Sequence, residues 1–333
     1  MKAEKPAPEL DKEPNTAHPR ETFSFVGHDA EEAMLAEALS SGRMHHAWML
    51  AGPKGLGKAT LAYRFARKAL GASGVGARPF DVDPEDPVAR RIAANAHPDL
   101  FILRRGLNER GRPRREIAVD DARAMGAFFA LSPAEGGMRV AIIDAVDDLN
   151  RNAANAILKT LEEPPARSVL LLIAHAPGAT LATIRSRCRR LALRPLADAE
   201  VARAMGGDAS PALLGFAKGR PGRAIAMAAQ GLDAASGAFA DAPRAIARGE
   251  SRTVLPQLYD QLSGEPFERF AAVMELAGEW ARQAGAERAS ETWAEAWSAL
   301  ETLRAEAEGL DMDPKLALSR AAGMLDRAAG ART

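Results

Sequence analysis

The chain has 333 residues, of which 47% are hydrophobic and 26% charged, a composition typical of a soluble globular protein with two or three domains. It has 44 basic and 44 acidic residues, so its overall charge does not attract nucleic acid, and any such contact has to be local or shared with partner chains. A single cysteine, Cys188, excludes an internal disulfide and a zinc site made of several cysteines.

The first twenty residues, MKAEKPAPELDKEPNTAHPR, are charged and rich in proline. They lack the apolar core of a signal peptide, and no run in the chain approaches the roughly 18 apolar residues of a membrane span. We therefore expect a flexible N-terminal tail over residues 1–20 and a cytoplasmic protein without membrane contact.

Short apolar stretches predict five β-strands, and amphipathic helical patterns lie between them. The predicted strands are AWMLAG (47–52), DLFILRR (99–105), RVAIIDA (139–145), SVLLLIAHA (168–176) and RRLALRP (189–195). Strands that alternate with helices and are nearly all apolar indicate a parallel sheet that is covered on both faces. We predict an α/β domain over residues 21–195.

Strand patterns are absent after about residue 195, where alanine- and leucine-rich helical patterns continue to the end. We predict a small helical lid over residues 196–235 and a larger all-helical domain over residues 236–333. The second domain contains Trp280, Trp293 and Trp297.

The stretch GPKGLGKATLA follows the first predicted strand and opens the next helix. Gly52, Gly57 and Lys58 match a phosphate-binding loop, with Gly55 inside it. Backbone N–H groups at such a helix start form an anion cradle, and Lys58 can reach the β and γ phosphates. The alternative is a glycine-rich turn without a ligand.

Hydrolysis needs a hydroxyl residue directly after the lysine, because that hydroxyl binds Mg²⁺. Ala59 stands there instead, and Thr60 is one position further, rotated by about 100° around the helix. The sequence therefore permits phosphate binding while impairing metal placement.

The stretch VAIIDAVDDLN ends a predicted strand at Asp144, the usual position of a carboxylate that assists Mg²⁺. A strand-end capping role is the alternative, and it is favoured when Asp144 is considered singly. ATPases of this kind have a water-activating glutamate next, where this chain has Ala145. We expect Asp147 and Asp148 to lie on the following turn, out of line for water activation.

Arg187, in LATIRSRCRRL, comes just before the fifth predicted strand. An arginine there can enter a neighbouring subunit's nucleotide site and neutralise transition-state charge, because its planar fork contacts two phosphate oxygens. On spacing alone a solvated surface arginine is the better interpretation. Cys188 is expected to be a small buried apolar residue.

Other features carry weaker signals. Arg223, in GRPGRAIAMA, begins a predicted lid helix and either leans over a bound triphosphate or lies on the surface. The arginine-rich stretch Arg104–Arg115 can contact a phosphate backbone, but a solvated hairpin loop is the favoured interpretation. His45 and His46 have no catalytic partner in view and are expected to pack.

Four stretches in this order resemble bacterial DNA polymerase III clamp-loader subunits, most of all the delta-prime type: SGRMHHAWMLAGPKGLGKATLA, AHPDLFILRR, NAANAILKTLEEPP and IRSRC. The similarity runs from about Phe23 to Arg194 and continues more loosely through KGRPGRA and LDMDPKLAL. It implies an AAA+ P-loop domain with a five-stranded parallel sheet, a lid and a helical collar that holds a five-membered ring together.

The resemblance also implies roles for single residues. The arginine of the Ser-Arg-Cys motif acts in trans in this family, which makes Arg187 the main candidate for catalysis, and Arg223 matches the lid arginine that senses nucleotide. Ala59 and Ala145 depart from the active ATPase pattern. The family often carries a four-cysteine zinc module before HPDL, but residues 71–96 contain no cysteine, so we expect no zinc.

The resulting prediction is a subunit that does not hydrolyse ATP or polymerise DNA itself but belongs to the polymerase III holoenzyme. Expected partners are motor ATPase and delta-type subunits in a hetero-pentamer, the sliding clamp and primer-template DNA. ATP is expected to bind weakly or structurally, if it binds. The alternatives are an active AAA+ motor and a pure scaffold.

Overall fold

A computed structural model describes residues 11–12, 16–108, 114–207, 209–232, 236–310 and 312–330. Its internal contacts divide the chain into two compact units. One is built mainly from Ala17–Gly206 with Gly219–Arg223, and the other from Gly207–Lys218 with Ala224–Thr333.

The first unit contains one sheet, whose five strands all run parallel in the described residues. The strands are β1 (Ala47–Ala51), β2 (Leu100–Arg104), β3 (Arg139–Asp144), β4 (Ser168–Ala174) and β5 (Arg189–Ala192), in the spatial order β2-β3-β4-β1-β5. Every strand falls within a predicted apolar stretch. The predicted five-stranded α/β domain is therefore confirmed.

Helices cover both faces of this sheet. They are α1 (Asp29–Ser40), α2 (Lys58–Ala69), α3 (Pro87–Ala93), α4 (Val119–Ala130), α5 (Arg151–Glu162) and α6 (Ala182–Arg185). A further helix, α7 (Asp198–Ala204), follows β5. Alternate residues of β1 point to opposite faces: Trp48 belongs to the core that contains Leu61 of α2, and Met49 to the core that contains Ile157 of α5. Burial on both faces explains why the strands are apolar throughout.

Local signals in the sequence set the ends of α5. The side chain of Asn150 accepts a hydrogen bond of 2.9 Å from the backbone N–H of Ala153 and caps the helix start. Pro164 and Pro165 follow the last turn and prevent the helix from continuing. The helix end therefore fixes the position of Glu162, its last residue.

Only helices follow β5 in the described residues, as predicted. After α7 they are α8 (Pro211–Ala217), α9 (Pro221–Ala229), α10 (Ser236–Ala247), α11 (Ser251–Gln261), α12 (Pro266–Arg288), α13 (Glu291–Leu310) and α14 (Pro314–Ala328). The second unit buries Trp293, Phe270 and Leu300. Residues 196–235, predicted to be a separate lid, are divided between the two units, so the lid and collar boundaries stay predictions.

Residues 17–20 do not form the flexible tail expected there. A 3₁₀ helix, Pro19–Glu21, follows His18, whose side chain is fully buried with its ring 5.8 Å from that of Tyr63. Arg20 Nε donates a hydrogen bond of 2.8 Å to the carbonyl oxygen of Ala93. Burial of the imidazole and this bond hold the segment on the domain, so the expectation is wrong for these residues.

A buried ionic network joins α1, α2 and the segment before α3. The Arg64 side chain is 1% exposed and pairs with Glu32 at 2.8 Å and with Asp81 at 2.7 Å. Arg78 contacts the other oxygen of Glu32 at 2.6 Å. Charges this deeply buried are tolerated only when each has a partner, so each carboxylate depends on its arginines.

We expect Glu32→Gln to destabilise the first unit by about 3 kcal/mol, because it leaves the Arg64 guanidinium buried without its full charge partner. Hydrogen exchange of the α2 amides in increasing urea measures the free energy of unfolding of this unit. Asp120→Asn is the control, since Asp120 is 84% exposed in its pair with Arg123, and it should cost less than about 1 kcal/mol. Equal losses in the two variants would contradict the prediction.

Candidate nucleotide-binding site

The candidate site lies at the carboxyl edge of the sheet. In the parallel register Ala51 of β1 is opposite Ala174 of β4, and Asp144 of β3 is opposite Ile173 of β4. The loop after β1, the end of β3 and His175 after β4 therefore meet at one edge, where parallel α/β sheets place their ligands. The structure thus brings the predicted loop and Asp144 together.

The loop glycines are required by close contacts. Gly52 has φ +147°, and a Cβ atom there would lie 2.5 Å from the Leu193 carbonyl oxygen. Gly55 has φ +86°, and a Cβ atom there would lie 3.0 Å from the backbone nitrogen of Arg223. The Gly222 N–H also donates a hydrogen bond of 2.9 Å to the Gly55 carbonyl oxygen. The start of α9 therefore rests on the loop, and the predicted site residue Arg223, 7% exposed, lies beside it.

Lys58 is the first residue of α2, with Gly57 as the N-cap at φ +85°. Its side chain is 3% exposed, and Nζ donates hydrogen bonds of 2.5 Å to the Gly52 carbonyl oxygen and 2.7 Å to that of Pro53. The loop therefore satisfies the ammonium group through its own backbone. A phosphate competes with these carbonyl oxygens for the ammonium group.

The positions needed for hydrolysis differ from those of an active ATPase. Ala59 packs against the hydrophobic core below α2, and Thr60 follows it in the helix. Ala145 is 2% exposed. Neither alanine side chain has an atom that can bind a metal or activate water.

Asp144 is the last residue of β3. Its pKa is raised to about 7, chiefly by burial and also by the Asp11 carboxylate, while Lys58 opposes the rise. The next two acids have structural contacts: Asp147 accepts hydrogen bonds from the backbone N–H groups of residues 175 and 176 at 2.6 and 2.8 Å, and Asp148 pairs with Arg105 at 3.1 Å. Both acids lie on the turn after β3, as expected, and their misalignment for water activation stays a prediction.

Two residues near the site were missed from the sequence. The Asp11 side chain is 1% exposed and pairs with Arg104 and, at 3.1 Å, with His18. Burial opposes its ionisation, but these partners lower the pKa of Asp11 overall. His175 has its pKa lowered to about 4 by burial and by Lys58, so its imidazole is neutral at pH 7. No sequence signal marks Asp11, whereas His175 could have been found from its position after β4.

Arg187 lies at the other edge of the sheet. It follows α6 and precedes β5, which runs parallel to β1 with Arg189 opposite Trp48. Its Nη2 is 2.7 Å from Glu162 Oε1, and its Nη1 donates a hydrogen bond of 2.9 Å to the Thr183 carbonyl oxygen. The structure therefore separates Arg187 from the loop of its own chain by the length of the strands.

The described part of the stretch Arg104–Arg115 is largely ion-paired. Arg104 contacts Asp11, Arg105 contacts Asp148, and Arg114 is 3.0 Å from Asp121. Residues 109–113 of this stretch lie outside the described residues. A phosphate-backbone role for the stretch stays a prediction.

The remaining candidates have structural contacts. His45 and His46 stack with ring centroids 4.4 Å apart. Burial raises the pKa of the Cys188 thiol to about 12, and Cys188 packs against the core below α5. In the part of the chain that the structure describes, no three histidine, cysteine or acidic side chains are grouped so that they could hold a metal ion, and no helix could cross a bilayer.

A family profile described as DNA polymerase III, delta subunit, matches residues 27–197, more than half of the chain. The chain belongs to this family. The match covers the parallel sheet, the loop and Arg187.

Sequence similarity to individual DNA polymerase III subunits agrees with this assignment. The chain is 35% identical over 158 residues to the delta' subunit of Pseudomonas aeruginosa, covering 47% of this chain and 46% of that protein. It is 34% identical over 177 residues to the tau subunit of Salmonella typhimurium, covering 53% and 26%. The matched part therefore spans about half of the first relative and about a quarter of the second.

A solved structure is also similar to the chain. It is a DNA polymerase III gamma-subunit-related protein of Thermotoga maritima, 17% identical, with a TM-score of 0.46 over 89% of this chain and 99% of that one. A similarity of this size supports no conclusion about function.

We expect Asp144 to make the stability of the chain depend on pH. Its pKa is about 7 in the folded state and about 3.8 when unfolded, so between these values only the folded state keeps the proton. The contribution of Asp144 to the free energy of unfolding is therefore full below about pH 3.8, falls by a few kcal/mol as the pH rises to 7, and is flat above.

Asp144→Asn should remove this fall. Urea unfolding of both proteins from pH 4 to pH 8 should show the variant gaining stability relative to the wild type as the pH rises. Asp120→Asn, at an exposed site, should show no such trend. A difference between wild type and Asp144→Asn that stays constant with pH would contradict the prediction.

Proposed function

We propose that this chain is a subunit of a clamp loader, the assembly that opens a ring-shaped sliding clamp and places it on primed DNA during replication. Its partners in this proposal are motor ATPase and delta-type subunits in a five-membered ring. Membership of the DNA polymerase III delta family and similarity to delta' and tau subunits support it. The clamp and primer-template DNA are met through the assembled complex.

The chain does not hydrolyse ATP in this proposal. Ala59 replaces the hydroxyl that would hold Mg²⁺, and the buried Ala145 replaces the carboxylate that would activate water. Two independent losses in one site favour an idle site over a chance substitution.

Phosphate binding is a separate matter from hydrolysis. The loop leads into the start of α2, where backbone N–H groups can face an anion, and Lys58 and Arg223 lie beside the loop. These residues fit a phosphate group. The Gly52 and Pro53 carbonyl oxygens compete with a phosphate for the Lys58 ammonium group, so we propose that ATP binds weakly and serves a structural role.

The position of Arg187 carries the proposal. It lies at the amino edge of the sheet, whereas the loop and Asp144 lie at the carboxyl edge. An arginine so far from its own site can reach a triphosphate only in another chain. We propose that Arg187 enters the nucleotide site of a neighbouring motor subunit and neutralises charge on the terminal phosphate in the transition state.

Arg187→Ala should abolish ATP hydrolysis at the nucleotide site of the neighbouring subunit in a reconstituted loader. Arginine fingers contribute roughly 10³–10⁵ in rate. The clamp- and DNA-stimulated ATPase rate of the assembly should therefore lose the part that the neighbouring site contributes. Single-turnover ATP hydrolysis by the complete assembly measures this loss. Arg190→Ala is the matched control, since Arg190 is an exposed arginine in β5, and it should leave the rate unchanged. Unchanged turnover with Arg187→Ala would reject the trans role and favour a pure scaffold.

The purified chain should show no Mg²⁺-dependent ATP turnover by itself, because Ala59 and Ala145 leave no metal or water ligand at their positions. A phosphate-release assay with the isolated chain tests this. The alternative function, an active AAA+ motor, is favoured only by the intact shape of the Gly52–Lys58 loop. Turnover of about 1 s⁻¹, an ordinary enzymatic rate, would support that alternative.

A further inference from the structure

The Arg187 guanidinium is held on both sides by its own chain. Nη2 contacts Glu162 Oε1 at 2.7 Å, and Glu162 is the last residue of α5. Nη1 donates to the Thr183 carbonyl oxygen at 2.9 Å and lies 3.4 Å from Ser186 Oγ. Both terminal nitrogens of the guanidinium group therefore contact residues of the same chain.

A phosphate and the Glu162 carboxylate compete for the same nitrogens. A guanidinium recognises phosphate through two parallel N–H groups, and the carboxylate occupies one of them. Holding both anions next to each other would add repulsion between their negative charges. The ion pair between Glu162 and Arg187 therefore has to break before Arg187 can bind a terminal phosphate with both terminal nitrogens.

We propose that Glu162 is a positioning residue that restrains Arg187 and sets how readily it engages the neighbouring ATP. This inference rests on the proposed trans role of Arg187. When the subunits of the ring come together, the Arg187 guanidinium exchanges one anion for another. The Glu162 carboxylate is released as the triphosphate of the neighbouring subunit binds. The restraint keeps the arginine paired until a complete site is present.

The Glu162–Arg187 ion pair is weak enough to act as a reversible restraint. Its side chains are 34% and 50% exposed, for Arg187 and Glu162 respectively. Exposed ion pairs change an equilibrium by up to about fivefold, and salt weakens them. A contact of this strength delays engagement without preventing it.

The test uses the complete reconstituted loader with clamp and primed DNA. Glu162→Gln should raise kcat/KM for ATP by about two- to fivefold at low salt, and the gain should shrink near 0.5 M salt. Glu163→Gln is the matched control, because it removes the same charge from the adjacent exposed side chain. It should leave kcat/KM unchanged.

The double variant Glu162→Gln/Arg187→Ala separates positioning from a general structural effect. In the Arg187→Ala background Glu162→Gln should change nothing, since there is no guanidinium left to restrain. A gain that persists in that background, or an equal gain with Glu163→Gln, would overturn the inference.

The two proposals fail in different ways. If Arg187→Ala lowers turnover but Glu162→Gln leaves kcat/KM the same or reduces it, the restraint is wrong and the trans role stands. If Arg187→Ala leaves turnover unchanged, both are wrong. Gel filtration of each assembly and thermal unfolding of each variant chain confirm that the rates compare intact complexes.

Discussion

The parallel direction of all five strands is the constraint on which the chemistry of the first unit depends. Since every strand runs the same way, residues just before strands collect at one edge and residues just after them at the other. The loop and Asp144 follow strands, whereas Arg187 precedes one. A single chain therefore carries the loop at one edge and Arg187 at the opposite edge, an arrangement that suits the head-to-tail ring proposed above.

The buried ionic network stabilises the packing of α1, α2 and the segment before α3 in the first unit. Arg64 links α2 to Glu32 of α1 and to Asp81. Val82, next to Asp81 in the chain, belongs to a small core with Ala72 and Ala89. The packing of α2, which begins with Lys58, thus depends on carboxylates that come from two other segments of the chain.

Much of the first unit could be predicted because its signals are local. Apolar runs mark the strands, and glycine spacing marks the loop. Pairings between distant residues have no such signal: the contact of Asp11 with Arg104 joins residues 93 positions apart, and a charged, proline-rich stretch predicts a tail. The Glu162 contact with Arg187 was missed for a similar reason, since both residues are charged and half exposed. The conformation of the turns between helices and strands decides which charged surface residues come into contact.

The Lys58 contacts join the two ends of the Gly52–Lys58 loop. Here the Gly52 and Pro53 carbonyl oxygens already coordinate the ammonium group. A change at Lys58 therefore removes contacts that tie the last residue of the loop to its first two, so its effect on the chain is structural as well as electrostatic.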